Sequence, residues 1–284
     1  MTFAVTGATG HLGRLAIESL LASGIPAAEI TAIGRNPEKL AQLAALGVRT
    51  ARASFDDPSA LEAAFAGADA VLLVSGTEVG QRVRQHTNAI DAAVKAGAGR
   101  IVYTSVLGGD PEKLVLAPEH VATEQAILAS GLPYTILRNG WYNENYAQTL
   151  AQAAQTGVVI GSAGDGRVAS AARRDYAEAA AAVLAGTGHQ NKTYELSGDT
   201  AWDYRTLAAV LTQITGREVV YRDLSPEEHR AALLEAGLDE GTAGFLTALD
   251  AGIRAGALEL ATGDLSRLIG RPTTPLADTL RELS

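Results

Sequence analysis

The chain opens on a short apolar strand that runs directly into a glycine-rich turn. Residues 2–6 are Thr-Phe-Ala-Val-Thr, and Gly7, Gly10 and Gly13 follow before an amphipathic stretch that predicts a helix over 12–22. Glycine lets the backbone turn sharply and approach a ligand closely, while the N-terminus of the following helix adds partial positive charge. Glycines that serve only as turns are the alternative. The strand–turn–helix order favours a dinucleotide site instead, so we predict that this turn binds cofactor phosphates.

The second apolar strand, 30–34, ends at Arg35 and not at a carboxylate. Sites for NAD usually place Asp or Glu here to accept hydrogen bonds from the ribose hydroxyls. A guanidinium instead suits the additional phosphate of NADPH. The alternative role for Arg35 is a solvated residue before the next helix, with Asn36 as N-cap and Pro37 as the first helical residue, and the two roles are compatible. The sequence therefore predicts NADPH as the cofactor.

Composition and charge exclude several classes of function. The 284 residues include 23 basic and 32 acidic side chains, and the net charge of −9 argues against nucleic acid and anionic membranes as partners. There is no cysteine, and the five histidines lack the spacing of zinc ligands, so no metal site is predicted. No apolar run is long enough to span a membrane, and the first residues do not resemble a secretion signal. We expect a cytoplasmic protein that is a monomer or a homodimer.

Apolar runs alternate with helical stretches along the first half of the chain, which is typical of a parallel doubly wound sheet. Strands are predicted at 2–6, 30–34, 48–51, 70–74, 100–104 and 134–137, with helices that include 79–96 and 117–130. Such sheets bind ligands beyond the carboxyl ends of their strands. Four segments should therefore meet there: 7–13, 75–80, 105–110 and 139–146.

Beyond residue 150 the alternation becomes less regular. Short strands are predicted at 157–161, 193–196 and 218–221, with helices at 175–185, 204–214, 226–236 and 240–254. The alanine run 177–182 predicts tight helix packing. The predicted fold is thus an α/β Rossmann-type, doubly wound parallel sheet with a smaller, mainly helical C-terminal lobe. We assign residues 1–150 to the dinucleotide-binding domain and 151–284 to the smaller lobe, interleaved with it because 173–196 should pack back on the first domain.

The chain lacks the proton donor that a short-chain dehydrogenase carries. That pattern has a serine near the end of the fifth strand and Tyr-x-x-x-Lys on the following helix. This chain keeps Ser105, but the helix carries His120 and Glu124 instead. Four residues apart, these two share one helix face, where the carboxylate can orient the imidazole as a general acid. The alternative is a surface or capping histidine beside a solvated glutamate.

Loss of the tyrosine favours an activated electron acceptor. An ordinary ketone needs a proton donor at the developing alkoxide, whereas a quinone yields a phenolate and tolerates a weak acid or water. Residues 138–146 bring three aromatic rings and three asparagines together, on which a flat acceptor can stack. We therefore expect Trp141, Tyr142 and Tyr146 to contact the substrate. The alternative places Trp141 and Tyr146 in a core that joins the two lobes.

Taken together, several motifs resemble the NmrA-like, atypical short-chain dehydrogenases/reductases, and above all their bacterial branch of NADPH-dependent quinone reductases. The motifs lie at 6–14, 35–37, 75–81, 103–105, 119–124 and 137–142, and similarity at 194–202 and 268–274 extends over essentially the whole chain. Gly76 and Thr77 depart from the serines that the family usually carries. That change should alter one hydroxyl contact but not the mode of binding.

The resemblance implies NADPH binding and two-electron reduction of quinones without a flavin. The residues expected to bind the cofactor are Gly7, Ala8, Thr9, Gly10, His11, Leu12, Arg35, Ser75, Gly76, Thr77, Asn139, Gly140, Trp141, Tyr142, Asn143 and Glu144. Arg173 lies just before a predicted helix, where it either reaches the cofactor or pairs with Asp175.

Two other functions are compatible with these residues. A related enzyme would reduce other conjugated acceptors, such as triphenylmethane-type dyes. A redox sensor would bind NADP(H) and a regulatory partner without turnover, and the missing Tyr-x-x-x-Lys leaves this alternative open. The aromatic residues of 138–146 favour an enzyme.

Overall fold

The computed structural model describes residues 1–284, and its first half alternates strands with helices as predicted. The strands are β1 (Phe3–Val5), β2 (Ile30–Gly34), β3 (Arg49–Arg52), β4 (Ala70–Leu73), β5 (Ile101–Val106) and β6 (Tyr134–Asn139). The helices are α1 (His11–Ala22), α2 (Pro37–Ala44), α3 (Pro58–Phe65), α4 (Arg82–Lys95) and α5 (Ala117–Ala129), with a short 3-10 helix at Ala27–Glu29.

The second half begins with a 3-10 helix at Asn143–Tyr146 and is mainly helical. Its helices are α6 (Ala147–Thr156), α7 (Arg173–Ala185), α8 (Tyr204–Thr215), α9 (Pro226–Glu235), α10 (Glu240–Arg254), α11 (Asp264–Ile269) and α12 (Leu276–Glu282). Its strands are β7 (Val158–Gly161), β8 (Arg167–Val168), β9 (Lys192–Leu196), β10 (Trp202–Asp203) and β11 (Val220–Asp223).

Seven strands form one parallel sheet in the order β3-β2-β1-β4-β5-β6-β9. The strand order reverses between β1 and β4, which is where a doubly wound sheet opens a crevice at its carboxyl edge. The prediction of a Rossmann-type sheet is confirmed. β9 comes from the second half of the chain and pairs with β6, and α7 packs against α1 through small, buried alanine side chains.

Local sequence signals set several helix ends. Asn36 and Asp57 act as N-caps, accepting hydrogen bonds from the amides of Lys39 and Ala60 at 3.0 Å each. The helix predicted over 79–96 begins later, at Arg82, because Gly80 has a positive φ of 83° and its amide donates to the Glu119 carboxylate.

The smaller lobe surrounds two two-stranded sheets. β7 pairs with β11 in parallel, and β8 pairs with β10 antiparallel, although neither β8 nor β10 was predicted. The strand predicted at 218–221 lies two residues later, because the Val219 amide donates to Thr212 Oγ1 instead of joining the ladder. Tyr146, Trp202 and Tyr204 pack edge to face in this lobe's core. None of the helices combines the length and the apolar character needed to cross a lipid bilayer.

Candidate active site

A cleft of about 790 Å³ lies at the carboxyl edge of the sheet, where the strand order reverses. The four segments predicted to meet there all contribute to its wall. The contributions are residues 7 and 9–13, 75–79, 105–106, and 139–142 with 145. The last part of the predicted 105–110 segment does not reach the cleft. The single chain thus brings together the glycine turn and the aromatic segment.

The glycine turn is shaped for close approach of an anion. Gly7 has a φ of 61°, and the Gly10 amide donates to the Gly7 carbonyl at 2.9 Å. A Cβ on Gly13 would lie 2.4 Å from that carbonyl oxygen, so only glycine allows α1 to pack against the turn. Gly10 precedes α1 and no side chain caps the helix, which leaves first-turn amides for a phosphate.

Arg35 lies in the cleft wall beside an acidic partner. Its Nη1 donates to Glu78 Oε1 at 2.7 Å, and Gln85 Nε2 donates to the other carboxylate oxygen at 3.0 Å. The Arg35 hydrogen bond is the main reason why the pKa of Glu78 is lowered. The apolar side chains of Phe55 and Leu61 line the same part of the cleft. This end combines a cation with apolar surface, as the adenosine phosphate of NADPH would require.

The loop after β4 is held by side chains from α4 and α5. The Gly76 amide donates to His86 Nε2 at 3.0 Å, and the Gly76 carbonyl accepts from Arg82 Nε at 2.9 Å. Glu119 accepts from Arg82 at 2.6 Å and from the Gly80 amide at 2.9 Å. His86 must carry its proton on Nδ1, which faces Thr123 Oγ1 at 3.0 Å. Burial, with Arg82 nearby, lowers the pKa of His86 to about 3.

His120 lines the cleft, but the expected partnership with Glu124 is absent. The His120 Nδ1 atom lies 2.7 Å from the Tyr103 hydroxyl instead. Glu124 is drawn away by Arg138, which donates to both carboxylate oxygens at 3.0 and 2.7 Å, and by the Ser105 hydroxyl at 2.5 Å. Glu124 therefore belongs to a buried ion pair behind the cleft, and the hydroxyl hydrogen of Ser105 is already donated.

Asn139 contributes an unpartnered buried acceptor to the cleft. Its Oδ1 has no hydrogen-bond partner in the protein, while its Nδ2 donates to the Tyr142 hydroxyl at 3.2 Å. A buried carbonyl without a donor is costly, so the geometry fits a ligand amide. Gly140 also lines the cleft, but its amide donates to the Leu196 carbonyl at 2.7 Å, which ties the segment to β9.

Four residues predicted to touch cofactor or substrate point away from the cleft. The 3-10 helix turns Asn143 inward, where its amide donates to the Thr274 carbonyl and to Thr279 Oγ1. The same turn buries Tyr146 against Trp202, with ring centroids 5.0 Å apart. The Glu144 carboxylate caps the Arg173 amide, at 2.9 and 3.0 Å from its two oxygens, and Ala8 is buried beneath the glycine turn. These placements correct the sequence-based expectations for Ala8, Asn143, Glu144 and Tyr146.

Arg173 faces the cleft and does not pair with Asp175. Its guanidinium carbon lies 4.9 Å from the centroid of the Tyr142 ring. Asp175 instead accepts from Arg271 at 2.8 Å and from the Thr274 amide at 2.6 Å. Of the two alternatives, the structure keeps the one in which Arg173 is available to a bound cofactor.

These features agree with what known proteins share with the chain. The model of a family described as NAD(P)H-binding matches residues 7–187. The chain belongs to the NAD(P)H-binding family. Quinone oxidoreductase 2 of Escherichia coli K12 is 49% identical over 280 residues, which cover 99% of this chain and 98% of that protein. The resemblance found in the sequence is thereby confirmed.

Two solved structures extend the likeness to the whole NAD(P)H-binding fold. The NADPH complex of the Escherichia coli NADPH-dependent quinone oxidoreductase superposes with a TM-score of 0.96 at 48% identity, covering 99% of both chains. The triphenylmethane reductase of a Citrobacter species, complexed with NADP(H), superposes with a TM-score of 0.95 at 38% identity, covering 100% of both chains.

The residues present fit the cofactor of this NAD(P)H-binding family. The glycine turn and the uncapped N-terminus of α1 offer backbone amides to a pyrophosphate, and Arg35 offers a cation for an additional phosphate. The unpartnered Oδ1 of Asn139 can accept a hydrogen bond from the carboxamide of a nicotinamide. These three groups lie along one cleft and would hold opposite ends of one NADPH molecule.

An apolar wall lies beyond these groups, and the sequence predicted only part of it. It consists of Val106, Leu116, Trp141 and Phe245. Phe245 lies on α10 and Leu116 directly precedes α5, so these side chains reach the cleft only through the folded chain. Neither had a local sequence signal, because an apolar residue on a helix most often indicates a core.

Proposed function

We propose that the protein reduces quinones by two-electron hydride transfer from NADPH, without a flavin. The observation that carries the proposal is the combination of the Arg35 site with an apolar wall in one cleft of an NAD(P)H-binding fold. The 49% identity to quinone oxidoreductase 2 supports the same substrate class.

When bound, NADPH supplies the hydride. The protein's own residues bind it and orient it: the glycine turn offers backbone amides to the phosphates, and Arg35 selects the phosphorylated ribose. Asn139 and Tyr142 line the same cleft, where the free Oδ1 of Asn139 would accept a hydrogen bond from the cofactor's carboxamide. Arg173 adds positive charge beside Tyr142.

The quinone would lie against Trp141 and the apolar side chains of Val106, Leu116 and Phe245. Aromatic and apolar surface binds a flat ring and excludes water from it. His120 lines the same cleft, and its imidazole N–H could act as a donor to the acceptor. Burial lowers the pKa of His120 to about 3. A neutral imidazole can donate a hydrogen bond to the developing phenolate, and solvent completes the protonation.

The first experiment follows NADPH absorbance with benzoquinone and a naphthoquinone, in parallel with NADH. We expect turnover that favours NADPH, and loss of that preference in Arg35→Ala. Arg49→Ala is the matched control, since this exposed arginine at the start of β3 does not line the cleft. NADPH binding without turnover above the spontaneous rate would refute the reductase and favour the sensor.

The second candidate is a reductase of triphenylmethane dyes. The Citrobacter triphenylmethane reductase has a TM-score of 0.95 to this chain, and a cationic dye would meet the same apolar wall. Dye decolourisation with NADPH, measured in the same buffer, ranks the two acceptors by kcat/KM. A higher value for the dye would replace quinones as the preferred class.

A further inference from the structure

Tyr103 and His120 form a buried pair between the sheet and α5. Tyr103 belongs to β5 and is fully buried, and His120 belongs to the first turn of α5 and is 6% exposed. The hydroxyl oxygen and Nδ1 are 2.7 Å apart, a short distance for a hydrogen bond between neutral groups. The rings are tilted by 35° with centroids 5.9 Å apart, so the contact is through the polar atoms and not through stacking.

The hydrogen-bonding needs of the two groups favour Tyr103 as the donor in this bond. Burial and the nearby Arg82 and His86 disfavour the imidazolium, so the His120 ring carries a single proton. If that proton were on Nδ1, the buried phenol hydrogen would need an acceptor elsewhere. Thr123 Oγ1, on the same side of α5, already faces His86 Nδ1 at 3.0 Å and donates to the Glu119 carbonyl at 2.8 Å, so it would have to accept a second hydrogen bond. Donation from the phenol to Nδ1 satisfies both groups and leaves the ring proton on Nε2.

The Nε2 atom is the part of His120 that is open to the cleft. It makes no hydrogen bond with the protein. It is also not fully enclosed, unlike the unpartnered Oδ1 of Asn139. His120 lines the same cleft as Val106, Leu116 and Trp141. An N–H at this position therefore points from a fixed ring toward the space that would hold the acceptor.

We propose that Tyr103 is a positioning residue that fixes His120 as the Nε2–H tautomer, so that His120 presents a neutral N–H to the acceptor oxygen. This inference rests on the proposed quinone reduction. The reaction takes up one hydride from NADPH and one proton from solvent for each quinone, and it releases NADP⁺ and hydroquinone. His120 stabilises the phenolate by its hydrogen bond and keeps its own proton, and Tyr103 keeps its proton as well.

The surroundings of the pair make this arrangement insensitive to pH. The charged or titratable groups that face it are Arg82 and His86 from α4, and Glu119 and Glu124 from α5 itself. Glu119 is paired with Arg82 and Glu124 with Arg138, so both carboxylates are already neutralised. Burial raises the pKa of Tyr103, which keeps the phenol protonated. We expect kcat with a quinone to be nearly constant from about pH 5 to about pH 9.

The test combines Tyr103→Phe with a matched control that the chain provides. Tyr194 on β9 forms a second tyrosine–histidine pair, with its hydroxyl 2.8 Å from His189 Nδ1, outside the cleft. Tyr194→Phe makes the same chemical change there. We expect Tyr103→Phe to lower kcat about tenfold at neutral pH with little change in the NADPH Kd. In the variant kcat should rise in acid, because loss of the phenol donor raises the His120 pKa and the imidazolium is a stronger hydrogen-bond donor. Tyr194→Phe should leave both properties unchanged.

A direct measurement does not depend on any variant. Long-range nitrogen–proton NMR correlations of the histidine rings report which nitrogen carries the proton, and His120→Gln assigns the signals. We expect the Nε2–H form in the parent protein and a mixture of tautomers in Tyr103→Phe. A parent protein with the Nδ1–H form, or an unchanged tautomer in Tyr103→Phe, would overturn the proposal. If quinones are not reduced at all, the proposed function fails, while the NMR result still decides the tautomer.

His120→Gln provides a further readout. A glutamine amide can place an N–H near the position of Nε2, whereas His120→Ala removes the donor. We expect the glutamine variant to retain several-fold more kcat than the alanine variant, with similar quinone KM. Equal loss in both would show that His120 serves packing only, and would contradict the role assigned to its N–H.

Discussion

The packing of α1 on the glycine turn allows a paired test of two glycine-to-alanine substitutions. Gly13→Ala and Gly244→Ala both add one methyl group to a glycine within a helix. At Gly13 the new Cβ would lie 2.4 Å from the Gly7 carbonyl oxygen and 2.7 Å from its carbon. At Gly244, on α10, nothing lies within 4 Å of the added atom. The two substitutions thus share their effect on the unfolded chain and differ in the folded contact.

The magnitude follows from that contact. Replacing glycine by alanine in a helix stabilises the folded state by about 0.5–1 kcal/mol, which is the expected result for Gly244→Ala. At Gly13 the atoms in contact are backbone, so α1 and the turn must separate by about 0.6 Å, at a cost of about 1–3 kcal/mol. We therefore expect the unfolding free energies of the two variants to differ by about 1–3 kcal/mol.

Urea unfolding measures this difference, and isothermal titration with NADPH measures its effect on the site. Because the shifted turn carries the amides that face the phosphates, Gly13→Ala should weaken NADPH binding at least about tenfold, or ~1.4 kcal/mol. Gly244→Ala should bind normally. Equal stability and equal NADPH affinity of the two variants would refute the view that α1 packs against the turn only because Gly13 has no side chain.

Three further predictions concern the cofactor, the acceptor and pH. Glu78→Gln removes the carboxylate that competes with a phosphate for Arg35, so the NADPH Kd should fall several-fold while the NADH Kd changes little; a fluorescence titration in which NADPH binding weakens would contradict this. Trp141→Ala should raise the naphthoquinone KM about tenfold with a smaller effect on kcat, since stacking area is lost, and unchanged kinetics would remove Trp141 from the acceptor site. The pKa of His86 and that of His120 are each lowered to about 3 in the fold. The unfolded chain therefore binds more protons, and stability is full above about pH 6.5 and falls in acid, by at most about 1.4 kcal/mol per pH unit for each histidine. Urea midpoints at pH 7 and pH 5 measure the fall, which His86→Gln should reduce; equal midpoints would argue against neutral buried imidazoles.

Local signals in the sequence were sufficient to predict the part of the cleft that contains the glycine turn and Arg35. The glycine spacing, the strand before it and Arg35 after β2 each follow from short-range geometry, and the three glycines and Arg35 line the cleft. The meeting of four loop segments at the cleft also followed, because ligands bind beyond the carboxyl ends of the strands in such a sheet.

The partners of His120 depended on tertiary contacts and were not predictable from helix spacing. Glu124 shares a helix face with His120, but Arg138 on β6 binds it through two hydrogen bonds. Tyr103 was predicted only as part of an apolar strand. Its hydroxyl reaches His120 Nδ1 only because α5 packs on β5. A charged partner four residues away is a weak interaction that a buried bidentate pair outcompetes.

The segment 139–146 shows a second limit. Its composition indicated a ligand site, but the 3-10 helix at Asn143–Tyr146 divides it, with Trp141 and Tyr142 facing the cleft and Asn143 and Tyr146 facing the core. Which side a residue faces in such a short turn depends on the C-terminal residues that receive it. Thr274 and Thr279 accept the Asn143 amide from the far end of the chain.

The return of α7 and β9 to the first half of the molecule also affects how the chain is made. During synthesis, β6 emerges before any strand exists to pair with its outer edge, and α1 emerges before α7 can cover it. An unpaired parallel edge beside an uncovered apolar helix is a surface that nascent chains must keep from association with one another. Chains arrested or cleaved near residue 150 would retain that surface permanently. The sheet can gain its last strand, β9, only after residue 196 has left the ribosome. The nascent sheet therefore stays incomplete well after the glycine turn and Arg35 have been translated.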